Sequence, residues 1–179
     1  MNFKHVLATA LGTSVLFAGA LWAQPFGGSD DVAYAKKLWG AMQSAGLLGA
    51  NGIMSTPYKG QHPHGAVLDT IETKLKVGSN NGVLIVKRNY GGDGVSKTSV
   101  ADDPAKYLAA VTVMYKRKGY DADTKDWFWA KYLADGSLDK NPKGMLLAGK
   151  VAKGAPQGCI ACHTAAPGGD LVFNNDRYR

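Results

Sequence analysis

The spacing of apolar residues predicts one amphipathic helix near the start of the folded region. The spacing is helical over about residues 30–45 and is carried by Val32, Ala35, Leu38, Trp39 and Met42. We expect Ser29 to cap this helix, Asp30 and Asp31 to lie in its first turn, and Gly46 to follow its end. The apolar stripe is interpreted as core packing rather than as a set of ligands.

Beyond residue 64 the apolar residues recur with a period of two, which is typical of strands. Four segments are predicted as strands: Ala66–Glu72, Val83–Val86, Ala109–Tyr115 and Trp127–Leu133. The second is apolar throughout, as expected for a strand buried on both faces. Residues 49–64, 95–105 and 137–158 are interpreted as connections, with a short helix at most near Pro104. The pattern therefore predicts an α+β fold, with a helix on a mainly antiparallel sheet of four or five strands.

Residues 1–23 have the pattern of a secretory signal peptide. Lys4 supplies a positive charge, an apolar run extends from Val6 to Trp22, and small residues such as Ala23 end it. The alternative is an N-terminal membrane anchor, but the run is short for a span and no basic residues follow it. We therefore expect residues 24–179 to form a single domain that does not span the membrane after cleavage and is exported to a bacterial periplasm.

Composition narrows the class of protein. Hydrophobic residues make up 45% and charged residues 20% of the chain, as in folded soluble domains. Two Cys residues exclude a disulfide-rich scaffold and a four-thiolate iron–sulfur site. The net charge of +7 is carried by scattered basic residues. It indicates attraction to acidic partners and no nucleic-acid footprint.

Both cysteines lie in Cys159-Ile160-Ala161-Cys162-His163, a C-x-x-C-H motif that is typical of covalent c-type haem attachment. Two thiols one helical turn apart can add to the two porphyrin vinyl groups, and His163 can bind the iron. A thioredoxin-like redox pair is the first alternative, but it requires a βαβ context near the start of a domain. Half of a zinc site is the second, and no other Cys pair exists to complete it.

Several segments, taken in order, resemble the cytochrome P-460 / cytochrome c′-beta superfamily over nearly the whole mature chain. They are Pro63-His64-Gly65, Gly82–Lys87, Lys118–Asp121, Asp126–Tyr132, Gly158–His163 and Asp170–Phe173. The resemblance implies a haem c packed against the sheet, a homodimer, and a five-coordinate iron whose distal side is vacant. It also implies a small nitrogen compound or gas as ligand, and a redox partner protein.

The resemblance also places Lys87 where cytochromes P-460, which oxidise hydroxylamine, carry a lysine bonded to the porphyrin. Cytochromes c′-beta lack that bond and bind nitric oxide. Lys87 shares a strand face with Val83 and Ile85, where burial favours a neutral, nucleophilic amine. The alternative is a strand-end lysine that extends to water, since Arg88 follows it. We predict Cys159, Cys162, His163 and Lys87 as cofactor-binding residues, His163 as the iron ligand and Lys87 as a catalytic residue.

The distal residues are less well defined by the sequence. The strand over residues 109–115 contains no acid; Asp69 and Glu72 are the alternative carboxylates, but we expect both to face water. His62 and His64 could line the distal side, but we expect them in a turn or at the surface. Met114 could be a sixth iron ligand, but we expect it in the core. A redox enzyme acting on hydroxylamine or nitric oxide, a protein that captures nitric oxide, and a simple electron carrier therefore remain alternatives.

Overall fold

The computed structural model describes residues 25–49 and 52–173, so the predicted signal peptide over residues 1–23 lies outside the described residues. The helices are α1 (Ser29–Ser44), α2 (Lys97–Asp102), α3 (Pro104–Tyr107) and α4 (Cys159–His163), and a 3-10 turn covers Ala122–Thr124. The strands are β1 (Tyr58–Lys59), β2 (Val67–Val77), β3 (Asn80–Tyr90), β4 (Leu108–Lys116), β5 (Trp127–Leu133) and β6 (Ala148–Gly149). Within the described residues, no helix is long and apolar enough to cross a membrane.

The strands form one antiparallel sheet in which each strand pairs with the next in sequence, from β1 to β6. The α+β fold predicted from the sequence is confirmed. The prediction of four or five strands was too low, because the two-residue edge strands β1 and β6 carry no alternating pattern. The helix α2 was also missed; a hydrogen bond from the Ser99 amide to the Ser96 hydroxyl caps it.

Because successive residues of a strand point to opposite faces, the sheet has two different surfaces. On one, which we call the helix face, Leu84, Val86, Val111 and Val113 pack against α1 and belong to the same buried cluster as Leu38 and Met42. On the other, the motif face, a second cluster is formed by Ile85, Met114, Trp127, Trp129, Val151, Ile160 and Leu171. The C-terminal segment that carries the C-x-x-C-H motif therefore covers the motif face.

The predicted helix agrees with α1 except at its start. Gly28 rather than Ser29 is the N-cap, and no side chain caps the helix there. Asp30 and Asp31 lie in the first turn as predicted. Gly46 follows the C-terminal end at a φ of 68°, a left-handed conformation that favours glycine.

Asp69 does not face water, so that prediction was wrong. Its side chain is fully buried on the helix face, where one carboxylate oxygen accepts hydrogen bonds from Nε and Nη2 of Arg88 at 3.1 and 2.8 Å. The other oxygen accepts a hydrogen bond from the Tyr90 hydroxyl at 2.6 Å. Asp69 lies opposite Arg88 of β3, and this pairing compensates the buried charge of its carboxylate.

We predict that Asp69→Asn lowers the free energy of unfolding by about 3–5 kcal/mol, because it leaves the buried Arg88 guanidinium without a compensating charge. Urea unfolding of the haem-loaded protein, followed by far-ultraviolet circular dichroism, measures the change. Asp123→Asn is the matched control: Asp123 is exposed and lies 3.0 Å from Nζ of Lys153, so its loss should cost about 0–1 kcal/mol. Equal losses in the two variants would contradict the prediction.

Candidate haem site

The C-x-x-C-H motif forms the short helix α4, which is fixed to the motif face by backbone and side-chain contacts. The Ile160 amide donates a hydrogen bond to the Val151 carbonyl at 3.2 Å, and the Ile160 side chain is buried in the second cluster. Gly158 precedes the helix at a φ of 128°, and a Cβ atom at this position would meet the Cβ of Ala152. The backbone before Cys159 therefore requires glycine.

The side chain of Cys159 is half-buried and that of Cys162 is exposed. Burial raises the pKa of the Cys159 thiol. In thioredoxin-like C-x-x-C pairs the reactive thiol has a lowered pKa, so the environment of Cys159 disfavours that alternative. Nor do the described residues contain a group of three or more His, Cys, Asp or Glu side chains placed to hold a metal ion.

The orientation of the His163 ring is set by a backbone carbonyl. Nδ1 lies 2.7 Å from the oxygen of Leu171, and since a carbonyl only accepts, Nδ1 carries the proton. Nε2 is then the nitrogen with the lone pair, in the arrangement that metal-binding histidines commonly adopt. The ring packs edge-on against Trp129 and Phe173, with centroids 4.8 and 5.3 Å away.

The carbonyl that orients His163 is itself held to the sheet through Asp170. The Asp170 carboxylate accepts a hydrogen bond from Nζ of Lys116 on β4 at 2.7 Å. Its backbone carbonyl accepts one from the indole nitrogen of Trp127 on β5 at 2.9 Å. The position of His163 is therefore coupled to two strands of the motif face.

A row of polar side chains crosses the motif face next to an apolar row. Strand register places Thr70, Lys87, Thr112 and Lys131 opposite one another on β2 to β5. The adjacent row contains Ile85, Met114 and Trp129, with the carboxylate of Glu72 opposite Ile85 on β2 as its one polar member. Lys87 is half-buried on the same face as Ile85, as the alternation predicted.

His64 lies in the turn before β2, as predicted, but it is half-buried at this site rather than at the surface. Its Nδ1 lies 3.0 Å from Oδ1 of Asn89, and its ring centroid is 6.4 Å from that of His163. Burial lowers the pKa of His64 to about 4, and the charge of nearby Lys87 acts in the same direction. His62, two residues earlier, is exposed as expected.

The other residues considered as distal groups are divided between the two faces of the sheet. Met114 is buried in the apolar row, as expected of a core residue. Asp69 lies on the opposite face of the sheet, whereas Glu72 lies on the motif face opposite Ile85 and is exposed, as expected. Of the three aromatic residues at the start of β5, Trp127 and Trp129 pack on the motif face and Phe128 packs on the helix face.

The indole nitrogen of Trp129 gives one indication of whether the residues of this site can accommodate a haem. The indole nitrogen of Trp129 is buried and has no hydrogen-bond partner among the described residues. Trp129 packs against His163, and a buried donor without an acceptor calls for a specific explanation. A haem carries carboxylate groups that can accept this bond, so the residues present fit that cofactor.

A basic cleft of about 420 Å³ lies at the end of the sheet, beside the turn between β2 and β3. Four lysines line it, together with Val83 of the motif face; they are Lys74, Lys116, Lys118 and Lys125. Asp126 is also in the lining. Because Lys116 also binds Asp170, the cleft adjoins the segment that orients His163.

Among the comparisons with known proteins, the one with protein-family models agrees with a haem site at this position. Neither the curated proteins nor the solved structures contain a significant match to the chain. A protein-family model described as Cytochrome P460 matches residues 50–174, from the loop before β1 to beyond α4. The matched region includes the whole sheet and the C-x-x-C-H helix, so the chain belongs to the cytochrome P460 family and is a haem protein.

Proposed function

We propose that the chain is a periplasmic monohaem c-type cytochrome that oxidises a small nitrogen compound, hydroxylamine or nitric oxide, and passes the electrons to a redox partner protein. The observation that carries the proposal is the polar row beside His163, in which Lys87 is half-buried between Thr70 and Thr112. A site for capture of nitric oxide alone would be expected to have apolar walls.

The residues that would hold the haem are those of α4. The thiols of Cys159 and Cys162 would form the two thioether bonds, and Nε2 of His163 would bind the iron. The haem supplies an iron that binds small nitrogen ligands and accepts electrons. The Leu171 carbonyl accepts the Nδ1 proton of His163, so that Nε2 would be the nitrogen that binds the iron. The Trp129 indole N–H could donate a hydrogen bond to a haem carboxylate.

Lys87 is the residue through which the chain would change the properties of the haem. A bond between its amine and a porphyrin carbon replaces one N–H and one C–H bond, so its formation needs an oxidant of the peroxide class. Two hydrogen bonds fix the Lys87 backbone, because its carbonyl accepts from Asn89 Nδ2 at 2.9 Å and Thr112 Oγ1 at 3.3 Å. The base of the side chain is therefore held in place on the motif face.

Electron transfer without substrate chemistry is the second candidate, and the position of His64 favours it. A histidine that faces His163 across the haem would give the iron two protein ligands, as in electron carriers.

For both candidate functions, the four lysines of the basic cleft favour an acidic redox partner, since complementary charge speeds association. Export to the periplasm, which the signal-peptide pattern of the sequence supports, and a homodimer, which the family resemblance implies, are also part of the proposal.

We predict that replacing both Cys159 and Cys162 with Ala abolishes covalent haem attachment. Without the thiols no thioether bond forms, and acidic solvent should extract all haem from the denatured variant. Mass spectrometry of the wild-type chain should show the added mass of one haem. If haem leaves the denatured wild-type chain, the proposed attachment is wrong.

We predict that Lys87→Ala keeps both thioether bonds and lowers hydroxylamine oxidation. If Lys87 is bonded to the porphyrin, the reduced visible spectrum should change toward that of an ordinary c-type haem, because a third bond distorts the ring. Lys131→Ala, in the same row but paired with Asp139 at 2.8 Å, is the matched control. Peptide mapping that finds Lys87 unmodified, with hydroxylamine turnover no better than that of free haem, would contradict the enzymatic role.

A further inference from the structure

We infer that Trp127 is a positioning residue that lowers the reduction potential of the haem iron. It acts through the backbone of Asp170 and Leu171, and the carbonyl of Leu171 accepts the Nδ1 proton of His163. The inference rests on the proposed function, because it requires a haem whose iron is bound by His163. It deepens that function by naming a residue that sets the potential at which the iron accepts electrons.

The hydrogen bond to Nδ1 is the contact through which Trp127 would act. Nδ1 of His163 lies 2.7 Å from the carbonyl oxygen of Leu171, which is short for an N–H···O hydrogen bond. A strong acceptor at Nδ1 makes the imidazole a more basic ligand through Nε2. A more basic ligand stabilises ferric relative to ferrous iron, and hydrogen bonds beside an axial ligand are one means by which proteins set haem potentials. The position of the Leu171 carbonyl therefore bears on the potential.

The backbone that carries this carbonyl has an unfavourable conformation. Leu171 has a φ of 61°, in the left-handed region that residues with a Cβ atom rarely adopt. Such a conformation persists only where the surrounding structure holds it in place. The Leu171 side chain is buried in the same cluster as Ile160, which fixes one side of the rotation φ. The other side is the peptide group that joins Asp170 to Leu171.

Trp127 holds that peptide group. Its indole N–H donates a hydrogen bond to the Asp170 carbonyl oxygen at 2.9 Å. Because this oxygen lies in the peptide plane before Leu171, the bond fixes the plane on which φ depends. The Trp127 side chain is buried on the motif face, and its backbone pairs with Lys116 of β4. The sheet therefore fixes the donor, and the donor fixes the strained residue.

The ion pair at Asp170 offers a comparison, since it involves the same residue but a different group. The Asp170 side chain is 58% exposed, and its carboxylate lies 2.7 Å from Nζ of Lys116. The same ammonium donates to the Lys125 carbonyl at 2.8 Å and lies 4.3 Å from the centre of the Trp127 ring. Exposed ion pairs contribute little, and this one holds the side chain rather than the peptide group. We expect it to have much less effect on His163.

Redox titration of the haem-loaded protein tests the inference. In Trp127→Phe, which lacks the indole N–H, the ratio of ferrous to ferric protein at a fixed potential should rise on the order of tenfold. That change corresponds to about 59 mV in midpoint potential for a one-electron couple. Asp170→Asn, which weakens the ion pair and keeps the backbone carbonyl, should shift the potential much less. The iron–histidine stretching band in the resonance Raman spectrum of the ferrous protein should move to lower frequency in Trp127→Phe only.

A second substitution separates the lost hydrogen bond from the lost ring volume. Replacing Trp127 with benzothienylalanine puts sulfur in place of the indole N–H and keeps the shape of the fused ring. The potential should rise as it does in Trp127→Phe. Stability should fall less than in Trp127→Phe, because the larger ring leaves no cavity.

A wild-type potential in both Trp127 variants, with haem covalently attached, would overturn the inference and leave the proposed function standing. A shift in Asp170→Asn as large as that in Trp127→Phe would also overturn it, because the ion pair would then have the effect assigned to the indole. If the purified wild-type protein carries no haem, both the inference and the proposed function fail. Haem content and circular dichroism, measured on every variant, separate these results from misfolding.

Discussion

The register of β3 between β2 and β4 determines which side chains lie at the haem site. β3 is buried on both faces, with Leu84 and Val86 under α1 and Ile85 under the C-terminal segment. A slip of one residue would exchange the two sets, moving Lys87 beneath the helix and Arg88 to the motif face. Such a slip would also separate Arg88 from Asp69, so the buried ion pair on one face opposes loss of the site on the other.

The site is held in place from two sides, the sheet and α4, by interactions of different strength. On the sheet side, Asn89 joins β3, β4 and His64 through buried or half-buried hydrogen bonds. On the side of α4, the orientation of His163 depends on Leu171, and Leu171 follows Asp170, whose exposed carboxylate pairs with the half-buried Lys116. Exposed ion pairs contribute little and weaken with salt. The α4 side is therefore held mainly by buried contacts of Ile160 and Leu171.

Features fixed by local pattern could be predicted from the sequence. The bounds of β5 agree with the prediction, and alternation along β3 correctly placed Lys87 with Ile85. Features that depend on distant partners could not. Asp69 is buried because β3 brings Arg88 opposite it, and His64 leaves the surface because Asn89, 25 positions away, accepts its hydrogen bond. A two-residue strand such as β6 has no period to detect.

Gly158 has a consequence for how related sequences should be interpreted. Its backbone angle and its closeness to Ala152 exclude a side chain directly before the first cysteine. A survey of relatives that share this packing would find glycine there whether or not the attachment chemistry needs it. A conserved glycine at that position would then reflect a steric requirement of the folded chain. It would say nothing about which enzyme system attaches the haem.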